Sequence, residues 1–186
     1  MKEKIKALLQ AQSPQKVFLE GFKPSAVLLP LIQKDKKIQI LYTLRSQKVA
    51  SHKGQISFPG GFHEKEDKDL IYTALRETEE EVGIPIQKVE VLGQLDEAFT
   101  PRGYHITPFV GWIQDPIDLK INEEIEQAFW INLDELMDPK NLRLEEKEFQ
   151  GKSYPFPFYQ IGEYTIWGAT GRITYSLLER IKKQIP

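Results

Sequence analysis

The segment Arg76-Glu77-Thr78-Glu79-Glu80-Glu81-Val82-Gly83 carries the residues best suited to chemistry. On a helix, Glu80 lies about 60° to one side of Glu77 and Glu81 about 40° to the other, so three carboxylates share an arc of roughly 100°. Ile71, Leu75, Thr78 and Val82 fall on a neighbouring arc that can face a core, and Glu79 points away from both. Like charges at these spacings repel, and they sit at the negative end of the helix dipole. A bound cation removes that conflict, which is worth roughly a few tenths of a kcal/mol per pair. Oxygen-only ligands select hard ions such as Mg²⁺ or Mn²⁺. Zinc is disfavoured, because the chain has no cysteine and its histidines, His52, His63 and His105, are scattered. The competing reading is a hydrated acidic face with Arg76 and Lys88 as counter-charges, which is what charge runs usually mark.

The residues before this helix shift that balance. In Gly54-Gln55-Ile56-Ser57-Phe58-Pro59-Gly60-Gly61 the paired glycines allow close backbone approach or positive φ, and Pro59 stiffens the entry. Exposed carbonyls of such a turn can complete the shell of a hard cation. Pro-Gly-Gly alone is usually only a turn. It becomes informative because it closely precedes a helix bearing Arg-Glu and Glu-Glu.

The elements that must position these groups can be read in outline. Residues 1–16 form a short amphipathic helix with Ile5, Leu8 and Leu9 on one side, within an N-terminal extension over residues 1–20. Ala26 to Ile32 and Ile38 to Arg45 are strands joined by an Asp35-Lys36-Lys37 turn. Residues 46–66 read as a long functional connection. Asp69 to Val82 is the clearest helix, capped by Asp67 or Asp69 and ended by Gly83 and Pro85. Val89 to Phe99, His105 to Gln114, Ile125 to Ile131 and Tyr164 to Trp167 are further strands, and Leu133 to Met137 is a short helix. Residues 138–157 mix charge and proline and give no clear element. Ile173, Leu177 and Ile181 recur at helical spacing, so residues 169–183 form a closing helix. Strands alternating with a few helices place the chain in the mixed α/β or α+β class, as a single domain over residues 1–186.

Composition narrows the function classes. The 186 residues hold 25 Lys plus Arg against 27 Asp plus Glu, so a strongly basic nucleic-acid binder is excluded. Hydrophobic residues at 40% suffice for a core. Without cysteine there is no disulfide, thiolate metal site or Cys nucleophile. The longest apolar run, Ala26 to Ile32, is broken by Pro30 and too short for a membrane helix. Neither end reads as a signal or retention sequence, so the expected location is the cytoplasm.

Gly61, Arg76, Glu77, Glu80, Glu81, Gly83 and Ile84 together resemble the Nudix hydrolase box. The interval from Gly61 to Arg76 is one residue longer than the general pattern, Asp67 stands where the outer Glu is expected, and Thr78 replaces an aliphatic or small residue. Leu41-Tyr42-Thr43-Leu44-Arg45-Ser46, followed by His52-Lys53-Gly54-Gln55-Ile56-Ser57-Phe58-Pro59-Gly60-Gly61, is similar to the signature of the coenzyme A pyrophosphatase subgroup. Leu95-Asp96, Ile106-Thr107-Pro108-Phe109-Val110, Phe129-Trp130 and Ile166-Trp167-Gly168-Ala169-Thr170 extend the likeness over roughly residues 24–180. Ala50 and Tyr42 depart from the subgroup, which has a basic residue and Leu there.

The resemblance implies an α/β/α sandwich around a mixed sheet, with the box as loop–helix–loop. It implies hydrolysis of a diphosphate with Mg²⁺ or Mn²⁺, and Glu77 and Glu81 as first metal ligands. Glu80 would complete the cluster as ligand or base, Arg76 would orient a glutamate, and a Gly60 or Gly61 carbonyl would join. Arg45, His52 and Lys53 would contact substrate phosphates. Glu97 or Glu124 would supply a further acid, and His105 is more plausibly structural. For the subgroup, coenzyme A would yield 3′,5′-ADP and 4′-phosphopantetheine. ADP-ribose, a dinucleoside polyphosphate or an oxidised nucleotide is the alternative substrate, and a non-catalytic nucleotide-binding module the alternative of another class. The partner is then a small molecule rather than nucleic acid or membrane, with a homodimer left open.

Overall fold

A computed structural model describes residues 1–47, 54–149 and 151–184. The elements run α1 (Lys2–Ala11), β1 (Lys23–Lys34), β2 (Lys37–Arg45), β3 (Ile56–Ser57), β4 (Gly60–Phe62), α2 (Leu70–Val82), β5 (Val89–Gln94), β6 (Ala98–Thr100) and β7 (Tyr104–Ile113). They continue with β8 (Ile125–Asn132), α3 (Leu133–Met137), β9 (Leu142–Phe149), β10 (Lys152–Ile161), β11 (Tyr164–Ile166) and α4 (Gly168–Gln184).

Eight strands make one mixed sheet. β1 runs parallel to β7, with Ala26 opposite Thr107 and Leu28 opposite Phe109, and antiparallel to β2 and β4. One edge of β1 is shared by two partners: Leu31 to Lys34 pair with β2, and Ser25 to Val27 pair with β4. The chain joining β2 to α2 is seated at this fork. Asp35 and Lys36 both take positive φ, which makes the tight turn between β1 and β2.

The sheet has two buried faces, so β1 is almost continuously apolar. Ala26 and Leu28 of β1, with Phe109 of β7, face Ala74 of α2, and Ile32 and Leu41 face Val82 and Ile84. Leu29 and Leu31 face the other way, onto Ile5, Leu8 and Leu9 of α1 and Ile173, Leu177 and Ile181 of α4. Helices therefore cover both faces of a mixed sheet, as the resemblance implies. Tyr42 is fully buried, and its hydroxyl lies 3.0 Å from Thr174 Oγ1, tying α4 to the sheet.

Several expectations need correction. Residues 46–66 are not a featureless connection: β3 and β4 fill the fork where β1 and β2 separate. The expected strand Val89 to Phe99 is two, because the pairing with β7 is interrupted between them. The Leu95 amide still donates to the Pro108 carbonyl of β7 (3.0 Å), but the Glu97 amide turns away to the Gln15 carbonyl (2.9 Å). The N-terminal helix stops at Ala11, since the amides of Gln15 and Val17 donate to Asp96 (2.8 Å) and Glu97 (2.8 Å) rather than to a helix ladder. Residues 138–157 contain β9 and most of β10, which form a three-stranded sheet with β11. Pro155 and Pro157 had masked this. They lie where β11, which pairs only Tyr159 to Ile161, does not reach, so their missing N–H groups break no second ladder.

Leu177, fully buried against the α1 side of the sheet, tests this packing. Leu177→Ala should lower unfolding free energy by about 3 kcal/mol in urea denaturation, with an unchanged slope.

Candidate functional site

The site is built where α2 crosses β1 and β4. Asp69 caps the helix by accepting from the Tyr72 amide at 2.7 Å, and Gly83 ends it with φ 72°. The helix comes this close because the sheet has no side chain beneath it. A Cβ on Gly61 would collide with the Glu77 carboxylate, and one on Gly60, where φ is 155°, with the Ala26 carbonyl and the Val27 backbone.

Glu81 is the most enclosed acid, 3% exposed. Its Oε2 accepts from the Gly60 amide at 3.1 Å and its Oε1 from Arg45 Nη1 at 3.1 Å. Arg45 gives Nη2 to Glu124 Oε2 at 3.1 Å, so Glu81, Arg45 and Glu124 form one chain of charge. Arg45 Nε is buried without a hydrogen-bond partner among the described residues, a donor that an anionic oxygen would satisfy.

Arg76 organises the other half. Its Nε and Nη2 donate to the two oxygens of Asp67 at 2.9 and 3.0 Å, a bidentate pair with a carboxylate whose side chain is 1% exposed. Asp67 also accepts from Thr73 Oγ1 at 2.8 Å and the Glu64 amide at 3.1 Å. Arg76 Nη1 is 3.0 Å from Glu77 and 3.1 Å from Glu80. Asp67 thus pins the loop to the helix and holds Arg76 between the glutamates.

These contacts set the protonation states. The Arg76 guanidinium, then the Glu64 amide and the Thr73 hydroxyl, hold Asp67 well below the usual carboxylate range. Such a group stabilises the fold fully above the ordinary carboxylate pKa, and that contribution is lost as pH falls through the lower folded value. Glu81 goes the other way. Burial pushes it up to about 7, against Arg45 and the Gly60 amide, which pull it down. The folded chain therefore keeps a proton that the unfolded chain releases, and the contribution of Glu81 to stability falls as pH rises toward about 7. Burial also raises Glu77.

Glu77, Glu81, Arg76, Arg45, Gly60 and Gly61 are brought together as the sequence led one to expect. His52 and Lys53, and the variant position Ala50, lie outside the described residues. Glu80 is not gathered in: its side chain is 55% exposed on the solvent side of Arg76. The arcs on α2 are also turned from the simple wheel. Ile71 is exposed, whereas Thr73, Ala74, Thr78, Glu81 and Val82 are buried, so Glu81 belongs to the packed face. Of the two later acids, Glu124 joins the site. Glu97 instead bonds the Val17 amide at 2.8 Å and His105 Nε2 at 2.9 Å, which gives His105 a structural partner. The sequence reading missed the role of Asp67 as the anchor of Arg76; its only signal was that Asp67 stands where the outer Glu of the box is expected.

Among the described residues no three Asp, Glu or His side chains converge closely enough to chelate an ion. The donor chemistry does suit a hard divalent cation. Glu77 and Glu81 lie one helical turn apart over a glycine backbone, supply only oxygen, and are both disfavoured as bare anions by burial.

A family model described as NUDIX domain matches residues 22–154. A Photorhabdus laumondii protein named Nudix hydrolase NudL, itself uncharacterized, is 38% identical over 175 residues, covering 94% of this chain and 93% of the relative. The mouse mitochondrial coenzyme A diphosphatase NUDT8 is 36% identical over 156 residues, 81% of this chain and 74% of the relative. Among solved structures, a Nudix hydrolase from M. smegmatis, RenU, superposes with a TM-score of 0.59 at 16% identity, covering 90% of each chain. A MutT/nudix family protein from Enterococcus faecalis gives 0.57 at 16% identity, with 97% of this chain and 69% of that one covered. At such identities the structures bear on the fold alone.

The anchoring pair is directly testable. Asp67→Asn should cost about 3 kcal/mol at pH 7 in chemical denaturation, because it strips a nearly buried guanidinium of its bidentate partner. The difference between wild type and variant should shrink as pH is lowered through and below the ordinary carboxylate range.

Proposed function

This chain belongs to the Nudix hydrolase family, and on that premise we propose that it cleaves the diphosphate bond of coenzyme A or an acyl derivative, giving 3′,5′-ADP and 4′-phosphopantetheine or its acyl form. The observation that carries the reading is the position of Arg45. This residue belongs to the segment that resembles the coenzyme A subgroup, and it lies 3.1 Å from Glu81 of the box. The segment that speaks for a substrate class and the helix that speaks for a reaction thus meet in one ion pair. A mouse relative named for coenzyme A diphosphatase activity supports the same assignment.

Nudix hydrolases use a divalent cation, and here Glu77 and Glu81 are the residues proposed to hold it, as Mg²⁺ or Mn²⁺. When bound, such an ion neutralises diphosphate oxygens and lowers the pKa of water. The chain's own groups do the rest. Arg45, with one donor still unsatisfied, binds a phosphate oxygen and is held by Glu124. Glu124, half-exposed and paired with Arg45, is the acid proposed to take the proton of the attacking water. The water oxygen forms the new P–O bond, the bridging P–O bond breaks, and the leaving phosphate carries the electron pair. Arg76 holds Glu77 and shields it from Glu80. Cytoplasmic residence and action on a small molecule complete the proposal; no helix among the described residues is long and apolar enough to cross a membrane.

Incubation with coenzyme A and Mn²⁺ should release 3′,5′-ADP, resolved by chromatography, with a kcat/KM above those for ADP-ribose and diadenosine tetraphosphate. No product from coenzyme A at high enzyme concentration overturns the substrate, and none from any of the three overturns the activity. Glu81→Gln should lower kcat by about 10²–10⁴-fold while the chain stays folded. Protons compete for a group that titrates at about 7, so Mn²⁺ affinity should weaken as pH drops from 8 to 6. Calorimetric Mn²⁺ titrations at the two pH values measure this, and equal affinities would remove Glu81 from the ligand set.

A further inference from the structure

A second concavity shares no residue with the carboxylate site. It is a cleft of about 850 Å³ between the segment that follows α1, β6, β10 and α4. That volume is in the range of small-molecule sites. Its walls are unevenly charged. Asp96, Glu97 and Glu179 all line it, and each is already engaged. Asp96 accepts from Arg180 Nη2 at 2.5 Å, Ser176 Oγ at 2.9 Å and the Gln15 amide at 2.8 Å. Glu97 holds Val17 and His105, and Glu179 lies 3.4 Å from Lys182. The lining cations Lys16, Lys152, Arg172 and Lys183 have no ion pair among the described residues.

Arg172 is the most constrained of these. Its guanidinium carbon sits 4.8 Å from the Phe99 ring centre and 5.0 Å from that of Tyr154, while the two rings meet edge to face at 5.7 Å. The aromatic faces fix its plane but supply no carboxylate, and burial pulls its pKa down. A guanidinium that is half-buried, oriented and without an anion is the arrangement that binds carboxylate or phosphate oxygens through paired N–H donors. A neighbouring guanidinium is also under-satisfied: Arg180 is buried, and its Nη1 has no hydrogen-bond partner among the described residues.

We propose that this cleft is a second anion site, in which Arg172 grips a phosphate monoester whose organic body lies against Tyr154 and Phe99. The phosphate has two sources. One is a separate phosphorylated metabolite. The other is a phosphate at the far end of the diphosphate substrate, and this arm rests on the coenzyme A reading.

The experiment measures binding without turnover, and the Arg172 variants distinguish the cleft from the carboxylate site, which would take 3′,5′-ADP as a product on the coenzyme A reading. Calorimetry with 3′,5′-ADP, and separately with inorganic phosphate, is run on the full chain without divalent ions. Wild type should bind 3′,5′-ADP saturably, and Arg172→Met should weaken it at least tenfold while Arg172→Lys retains part of it. Lys152→Ala, an exposed position, serves if the Arg172 variants fail to fold, and should weaken binding severalfold. No saturable binding by wild type, or equal binding by folded variants, overturns the proposal. The sources are separated by KM: an increase in Arg172→Met for coenzyme A but not for dephospho-coenzyme A identifies the substrate's own phosphate. Unchanged KM for both, with binding still lost, identifies a separate metabolite.

Discussion

Two adjacent positions without side-chain volume govern the architecture around the carboxylate helix. At Gly60 the backbone lies so close to Ala26 and Val27 of β1 that no Cβ fits, and at Gly61 the absent Cβ is the space that the Glu77 carboxylate occupies. The helix can therefore settle onto the sheet with acids, rather than methyl groups, at the contact. The Gly60 amide then becomes a hydrogen-bond donor to Glu81 instead of a ladder group. Close approach, burial of charge and the raised affinity of Glu81 for a proton all descend from that single steric allowance.

Burying acids demands compensation, and two arginines divide the task. Arg76 takes Asp67 in a bidentate grip and holds Glu77, with the exposed Glu80 paired on its outer side, so its role is to make one stable anchor and position one partly buried glutamate. Arg45 comes from the opposite side of the fork, on β2, and links Glu81 to Glu124. The first cluster is nearly complete in itself. The second retains an unsatisfied Arg45 donor and an acid that titrates near neutrality, which are properties of a working site more than of a scaffold.

Most of the fold was legible because its strongest elements announce themselves locally. α2 has a capping Asp, a terminal Gly and a following Pro; β1 is an apolar run; α4 repeats Ile173, Leu177 and Ile181 at helical spacing. The β9–β10 hairpin was hidden because two prolines and a charged edge look like a loop until the partner strand shows that neither proline breaks a ladder. β3 and β4 were hidden because strands of two and three residues have no period to detect.

The sequence by itself determined the chemistry available: three glutamates sharing one arc of a helix that also carries an arginine, a glycine pair before it, a basic residue at Arg45, and no cysteine thiolate to favour a soft metal. Those follow from residue type and local spacing, which survive in one dimension. Tertiary structure decided how the charges were shared. It put Glu81 on the packed face and Glu80 in solvent, chose Glu124 over Glu97, and made Asp67 the anchor of Arg76. A helical wheel gives only angles about one axis. The environment of each carboxylate depends on which strand, turn or arginine lies opposite, and that is settled only when the sheet edge and the helix are brought together.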